Sequence, residues 1–261
     1  DTVEGNATSG AISAAATSGN ITLTGASLGT GYAAVTGNGT ATSGLIDLAA
    51  NAGTLDVADA TTGNASVGAT GNATSGSITL SADGLVTVSS TLDTGAADTV
   101  DGDAASGQIS VTSLSGSVDL QDTLTTGGAT VTGNGTATSG LIDLAADGAN
   151  GTLTLNDALT GAASVGATGN ATSGSITLSA DGLVTVASTL DTGVVDTVDG
   201  DATSGLISVT SLSGSVDLQD ALTTGGATVT NGTATSGLIT LSADVDVTGA
   251  GALSTGSADT V

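Results

Sequence analysis

The sequence of 261 residues contains no lysine, arginine or histidine, and its 25 acidic residues give a formal net charge of −25. Proteins hold nucleic-acid phosphates with cationic side chains, so this composition argues against a nucleic-acid partner. An anionic membrane surface would repel the chain. No apolar run reaches the roughly 18 residues that a membrane-spanning helix needs. We therefore expect neither nucleic-acid binding nor membrane insertion.

Cysteine, methionine, proline, tryptophan and phenylalanine are absent as well, and Tyr32 is the only aromatic residue. Without Cys, His or Lys the chain has no disulfide, no thiolate or imidazole metal ligand, and none of the commonest nucleophiles and bases. Paired carboxylates can hydrolyse glycosidic bonds. Here, however, the acids recur on turns and strands, and there is no aromatic platform for a sugar. We expect that the protein is not an enzyme.

A regular repeat indicates that this acidic chain is folded. High charge with few large apolar residues is typical of disorder, whereas a mean hydropathy of +0.36 favours a folded chain. A Ser-Gly-x-Ile anchor recurs every 31 to 34 residues, and a period of roughly 20 to 50 residues is typical of solenoids and propellers. The anchor isoleucines are Ile12, Ile46, Ile78, Ile109, Ile142, Ile176, Ile207 and Ile239.

Within each repeat, apolar and polar residues alternate with a period of two, as Ile78 and Leu80 do with Thr79 and Ser81. Alternation bounded by Gly, Asp, Asn and Ser predicts short strands. We find three of them per repeat, whereas a propeller blade, the alternative for this period, has four. The sequence therefore predicts an all-β fold, a single parallel β-solenoid over residues 1–261 with about eight coils of ~32 residues and three short strands per coil. Such a rod would be on the order of 40 Å long.

A longer cycle of three coils is also present, since the sequence that begins at Gly68 returns at Gly166, 98 residues later. In a parallel stack, equivalent residues lie one strand spacing apart, where like charges repel. On the outward face of the first strand, no two aspartates are predicted to be neighbours. On the second strand only Asp217 and Asp246 are. This spacing supports an in-register parallel stack.

The densest acidic residues form Asp-Gly-Asp turns, and carboxylate oxygens on a turn suit Ca²⁺, a hard cation. The pattern lacks the spacing of known calcium loops, and Asp-Gly also favours solvated turns without any metal. No other cofactor is indicated. The candidate calcium ligands are Asp98, Asp101, Asp103, Asp196, Asp199 and Asp201.

Many asparagines lie in Asn-x-Ser/Thr sequences, the acceptor pattern for N-linked glycans in secreted proteins. The alternative is that Asn suits a turn and Thr suits the strand that follows it. The candidate glycosylation sites are Asn6, Asn20, Asn38, Asn64, Asn72, Asn134, Asn150, Asn170 and Asn231.

The two ends of the sequence share one phase of the repeat, because Asp1-Thr2-Val3 returns as Asp259-Thr260-Val261. Solenoids usually carry capping repeats, since open end strands invite pairing, and no atypical repeat is visible here. Two expectations remain open. Either the chain is cut from a longer array, or its ends stack head to tail into a fibre.

The run GNATSGSITLSADGLVTVSSTLDTG, with its TSGxI anchors and LTTGGATVTGNGT turns, resembles bacterial giant surface proteins with β-strand repeats. In style it is similar to the filamentous-haemagglutinin-like adhesins. The resemblance covers the whole chain and rests on repeat texture. It implies a secreted or surface-exposed, non-enzymatic β-solenoid, and it carries over no binding residue.

We therefore expect an extracellular or cell-surface structural protein, a solenoid subunit that associates end to end into a fibre or filament. The alternative is the shaft segment of a large bacterial adhesin. An ice-binding or calcium-binding solenoid is a weaker alternative, because Thr-x-Thr pairs such as Thr22/Thr24 do not recur on one face of every coil.

Overall fold

The computed structural model describes residues 1–261 and contains strands and turns but no helix. The strands of successive coils pair in parallel and form four sheets that run along the whole molecule. The predicted class, an all-β parallel β-solenoid of about eight coils of ~32 residues, is confirmed. We number the coils 1 to 8 after their anchors, so that coil 1 spans 5–35 and coil 8 spans 234–260.

The chain passes through sheets 1, 2, 3 and 4 in turn in every coil. Sheet 1 consists of Gly5–Thr8, Gly39–Thr42, Ala73–Thr74, Ala104–Ala105, Ala137–Thr138, Ala171–Thr172, Ala202–Thr203 and Ala234–Thr235. Sheet 2 consists of Ile12–Ala16, Ile46–Ala50, Ile78–Ala82, Ile109–Ser113, Ile142–Ala146, Ile176–Ala180, Ile207–Ser211 and Ile239–Ala243.

Sheet 3 has twelve strands, because four of the eight coils contribute two short strands instead of one long one. Its strands are Ile21–Gly29, Leu55–Thr61, Val86–Val88, Leu92–Asp93, Val118–Thr125, Leu153–Leu159, Val184–Val186, Leu190–Asp191, Val216–Leu218, Leu222–Thr223, Val247–Gly249 and Leu253–Ser254. Sheet 4 consists of Ala33–Val35, Ala65–Thr70, Ala97–Asp101, Ala129–Val131, Ala163–Thr168, Val195–Asp199, Ala227–Asn231 and Ala258–Thr260.

The number of strands per coil is larger than the predicted three, because every coil enters four sheets. The strand that the sequence pattern missed belongs to sheet 1 and follows the glycine-rich turn before each anchor. It is only two residues long in most coils, as in Ala73–Thr74. A two-residue strand has a single inward residue, so it displays no alternation.

Equivalent residues stack directly on one another in sheet 2, where Ile46 pairs with Ile12 on one side and Ile78 on the other. The same register continues through all eight anchors. The anchor isoleucines therefore form one continuous ladder inside the solenoid.

Aspartates of successive coils never face each other in the registered strands. In sheet 2, for example, Asp47 lies between Ser13 and Thr79. Carboxylates at the same register position are therefore separated by at least two strand spacings, about 10 Å, so solvent ions screen much of their repulsion.

The predicted contact between Asp217 and Asp246 is wrong, because Asp217 pairs with Thr248. Val245 and Val247 flank Asp246 in the alternating pattern of a strand, so the sequence predicted a strand that begins at Val245, two residues too early. In the structure Val245 is exposed in the turn, and the strand begins at Val247. The last coil thus also avoids a carboxylate pair.

The interior of each coil is divided into two lobes. The large lobe lies between sheets 2 and 3, and its core of 34 buried residues is rich in isoleucine, leucine and valine. The small lobe lies between sheets 4 and 1, and its core of 19 buried residues consists of alanine and valine. The narrow neck between the lobes contains buried serine and threonine side chains.

Candidate functional site: hydroxyl seam, polar ladders and open edges

A column of serine and threonine hydroxyls, here called the hydroxyl seam, runs through the neck of every coil. Each threonine stands in a Thr-Gly pair after sheet 3, and each serine stands in the Ser-Gly pair before sheet 2. The threonines are Thr30, Thr62, Thr94, Thr126, Thr160, Thr192, Thr224 and Thr255. The serines are Ser9, Ser43, Ser75, Ser106, Ser139, Ser173, Ser204 and Ser236.

Thr62 illustrates the bonding of the seam. Its hydroxyl donates to the carbonyl oxygen of Gly76, on the far side of the neck, at 2.6 Å, and accepts the amide proton of Gly95 in the next coil at 3.1 Å. The Ser43 hydroxyl accepts the amide proton of Gly76 at 2.6 Å. Gly76 and Gly95 both belong to the next coil, so one threonine closes the small lobe and at the same time ties its own coil to the next.

The same contacts recur along the rod. The bond from glycine amide to threonine hydroxyl is present at seven coil-to-coil steps, at 3.0 to 3.3 Å. The bond from glycine amide to serine hydroxyl is present at six steps, at 2.6 to 2.8 Å. No buried side-chain oxygen or nitrogen lacks a partner. A side chain at Gly76 would collide with the backbone of Gly44, which explains why glycine follows the serine.

Sequence reasoning used the Ser-Gly anchors only as markers of the period and missed the role of the threonines. The available signal was the Thr-Gly pair, which occurs at one phase in all eight coils.

The predicted calcium ligands do not gather into one site. Asp98 and its copy Asp196 lie on the outer face of sheet 4, where Asp98 pairs with Ser66 and Thr130. The structure contains no group of three acidic side chains that could hold a metal ion. A calcium site at these residues stays a prediction.

The remaining candidates lie around the turns between sheets 4 and 1 and contact the next coil. Asp101 accepts the amide proton of Asn134 at 2.9 Å, and Asp103 accepts that of Thr136 at 3.1 Å. Their copies behave similarly, since Asp199 pairs with Asn231 and Asp201 accepts the amide proton of Thr233 at 3.1 Å. Asp101, Asp103 and Asp201 thus serve as acceptors for backbone amides, which is a structural role.

In other coils, asparagines stand at the same two positions of this turn as Asp101 and Asp103. The Asn72 side-chain oxygen accepts the amide proton of Asp103 at 2.9 Å, and that of Asn170 accepts the amide proton of Asp201 at 2.9 Å. Asn6 and Asn38 make equivalent contacts, at 3.3 and 3.2 Å. Glycosylation of these residues stays a prediction.

The other candidate asparagines differ in their surroundings. Asn20 and Asn64 accept amide protons of the next coil at 2.9 and 3.0 Å at other corners of the coil. Asn134 donates its side-chain amide to Asp101 at 3.2 Å. Asn150 has a left-handed backbone with φ of 60°, and Asn231 is exposed at the end of its strand.

Two carboxylate pairs lie on the outer face of sheet 3, and sequence reasoning did not single them out. Asp59 accepts hydrogen bonds from Ser27 at 2.8 Å and Thr91 at 2.9 Å. Partial burial raises the pKa of Asp93, and the nearby charge of Asp59 raises it further.

The second pair is its copy three coils later. Partial burial raises the pKa of Asp191, with a further contribution from Asp157, which accepts a hydrogen bond from Thr189 at 2.7 Å. Both pairs result from the three-coil cycle, since Asp157 follows Asp59, and Asp191 follows Asp93, by the same shift of 98 residues.

The outer face of sheet 4 carries two shallow depressions of about 410 and about 490 Å³. Each contains one carboxylate, Asp98 or Asp196, among serine and threonine hydroxyls and valine side chains. Thr130 and Thr132 line both, so the depressions form one continuous trough along the sheet.

The two end coils expose residues that are buried elsewhere. Val247 and Leu253 of coil 8 are 49% and 56% exposed, whereas the equivalent Val216 and Leu222 are fully buried. Ile12, at the other end, is only partly buried. Each end therefore presents an open strand edge above an uncovered apolar interior.

No protein-family model, characterised protein or solved structure matches this chain. The structure contains no helix that could cross a membrane. The resemblance to bacterial adhesins therefore stays a prediction, and the function has to be argued from the geometry.

Proposed function

We propose that this chain is a non-enzymatic structural protein of the extracellular space or cell surface, a rod-shaped subunit that assembles head to tail into a fibre or filament. The open edges of coils 1 and 8 are the observation that carries this proposal. Both expose aliphatic side chains in one register, and open parallel strands readily accept a further strand.

The side surfaces support growth along the axis rather than sideways. The outer faces carry the 25 acids, so two rods side by side repel each other. The end faces are different, because the apolar ladders of the interior end there. A contact of one end with the opposite end of another copy does not close on itself, and therefore builds a filament.

The experiment that tests the proposal is electron microscopy and sedimentation of the purified 261-residue chain over a range of concentrations. We expect rods that lengthen with concentration, with a repeat on the order of 40 Å, the height of eight coils. Monodisperse short rods at every concentration and salt level would overturn the proposal.

A matched pair of variants identifies the surface that assembles. Val247→Asp places a charge in the open interior of coil 8 and should abolish elongation. Val245→Asp adds the same charge at an exposed turn residue of the same coil and should leave elongation unchanged. Equal effects of both variants would point to net charge instead of the edge.

The second candidate, the shaft of a large bacterial adhesin, is favoured by the same open edges, since further coils of one polypeptide would cover them equally well. If the chain is such a shaft, ligand binding should reside outside these coils. Replacing the coils by an unrelated spacer of equal length should then preserve adhesion, and loss of adhesion would count against it.

We retain Ca²⁺ as a weaker proposal for Asp98, Asp101 and Asp103 and their copies. Thermal melting with Ca²⁺, with Mg²⁺ at equal ionic strength and with chelator tests it. A midpoint that is the same in all three solutions would remove Ca²⁺ from the function. Ice binding has less support, because Thr22 lies in sheet 3 whereas Thr130 lies in sheet 4.

A further inference from the structure

We infer that the joint between two copies has one polarity and one register, which the hydroxyl seam determines; this inference rests on the proposed head-to-tail assembly. Coil 8 of one copy stacks on coil 1 of the next copy. In this joint the Thr255 hydroxyl accepts the amide proton of Gly31 of the next copy. The Ser236 hydroxyl likewise accepts the amide proton of Gly10.

The polarity follows from the bonds inside the rod. Where a backbone amide bonds to a side chain of another coil, the amide belongs to the later coil and the acceptor oxygen to the preceding one. Gly63 N–H bonds to Thr30 Oγ1 at 3.1 Å, and Gly44 N–H to Ser9 Oγ at 2.6 Å, in this way. The exception is Asn150, whose amide donates to a carboxylate of the following coil.

At the two ends of the rod, the donors and acceptors of this pattern have no partner within the chain. At the end of coil 8, the hydroxyls of Ser236 and Thr255 form no hydrogen bond within the chain, although the equivalent Thr224 accepts the amide proton of Gly256. At the start of coil 1, the seam amides form none either. Between two copies, acceptors at one end and donors at the other fit a head-to-tail contact and not a head-to-head or tail-to-tail one.

The register follows from the sheets. Continuing the observed stacking places Ile12 on Ile239 of the preceding copy and Ile21 on Val247, so the apolar ladders extend without a break. The outward residues also fit, since Asp259 would face Ala34 and not another acid. The joint thus repeats the charge spacing of the rod.

The joint also requires an exchange of one short segment. Thr2 pairs with Val35, and its amide donates to the carbonyl oxygen of Ala34 at 2.9 Å, so 1–3 already occupies the place on sheet 4 that 259–261 of a second copy would take. Both segments have the sequence Asp-Thr-Val. One therefore replaces the other with the same contacts, and 1–3 acts as a removable cover of this edge.

The seam is tested with the variant Ser236→Ala/Thr255→Val, by measuring the critical concentration for elongation. Loss of these two hydrogen bonds should raise this concentration about 25-fold, at about 5-fold per bond. The melting midpoint of the unassembled rod should not change, because neither hydroxyl bonds within the chain. Thr240→Ala, on the outer face of the same coil, is the control and should elongate like the unmodified chain.

The register is tested with cysteine pairs, since the chain has no cysteine of its own. The predicted joint places position 240 beside position 13 of the next copy. The variant Ser13→Cys/Thr240→Cys should form disulfides between copies, at a strand spacing that suits the bond. Ala15→Cys/Thr240→Cys is two residues out of register, beyond the reach of about 7 Å, and should not.

The cover is tested with Thr2→Pro, which removes the amide that holds 1–3 in place, and elongation should then begin at lower concentration. The outcomes separate the two proposals. A chain that never elongates overturns the proposed function and this inference together. Elongation that is unaffected by the seam variant, or equal cross-linking of both cysteine pairs, overturns only the inferred joint.

Discussion

The large and small lobes of the coil are held together by different forces, although one chain passes through both in every turn. The large lobe buries isoleucine, leucine and valine, whose removal from water is the main stabilising contribution. The small lobe buries chiefly alanine and valine, and it is closed by the hydroxyl seam and by side-chain acceptors on its outer turns. Hydrogen bonds therefore define the shape of a coil where apolar volume is small.

The largest effect that this comparison predicts is in the large lobe. Leu144→Ala should lower the free energy of unfolding by about 2–5 kcal/mol, because Leu144 is fully buried and the rigid sheets leave a cavity. Chemical denaturation measures the loss. The control Leu141→Ala, three residues away and 40% exposed, should change little. Comparable losses in both variants would contradict the assignment of the core.

The next effect is in the neck. Thr126→Val keeps the shape of the side chain but removes the hydroxyl that donates to Gly140 at 2.7 Å and accepts from Gly161 at 3.2 Å. We expect a loss of about 1–3 kcal/mol for each buried group left without a partner, measured by denaturation.

Thr126→Ser retains the hydroxyl and is the control for the neck. It should keep most of the stability, with amide exchange at Gly161 remaining slow, whereas Thr126→Val should accelerate that exchange. If serine and valine destabilise the protein equally, the seam contributes through packing and not through its hydrogen bonds.

A smaller effect concerns the outer face of the large lobe. Because the folded-state pKa of Asp93 is raised, its ionised form is disfavoured in the folded protein, and this disadvantage appears as pH rises through that pKa. Asp93→Asn should therefore raise the melting temperature at neutral pH, and the gain should vanish in acid below the ordinary carboxyl pKa of about 4.

Asp98→Asn removes one charge from the small lobe and is the control for Asp93→Asn. Melting temperatures of both variants between acid and neutral pH give the comparison. A gain for Asp93→Asn that does not depend on pH would mean that titration of this carboxyl is not its cause.

The smallest predicted effect separates the outer turns of the small lobe from its neck. Asn72→Ala removes an exposed acceptor for the amide of Asp103, and water can replace it, so we expect a loss of about 0.5–1.5 kcal/mol or less. Denaturation measures the loss, and Thr74→Ala, exposed on the adjoining strand, is the control. A loss as large as that of Thr126→Val would mean that hydrogen bonds in the turns and in the neck contribute equally to the stability of the fold.

The large lobe was predictable from the sequence because its strands are long enough to show alternation, as in Ile78–Ala82, and because the anchors repeat at one period. The sheet 1 side of the small lobe was not, since its two-residue strands carry one inward alanine each. The position of Asp246 was misjudged for a related reason, because an exposed valine in a turn imitates the inward residue of a strand. Pairing across the neck, as between Thr62 and Gly76, depends on the turns between them and is invisible to any local pattern.

The seam also has a mechanical consequence. Successive coils are joined by nearly identical sets of bonds at seven steps, so no step is much stronger than its neighbours. Under a pulling force applied to its two termini, the chain should unwind one coil at a time from an open end. Each event releases about 32 residues, or about 110 Å of extended chain. A rod of this construction should yield in small regular steps and dissipate load gradually.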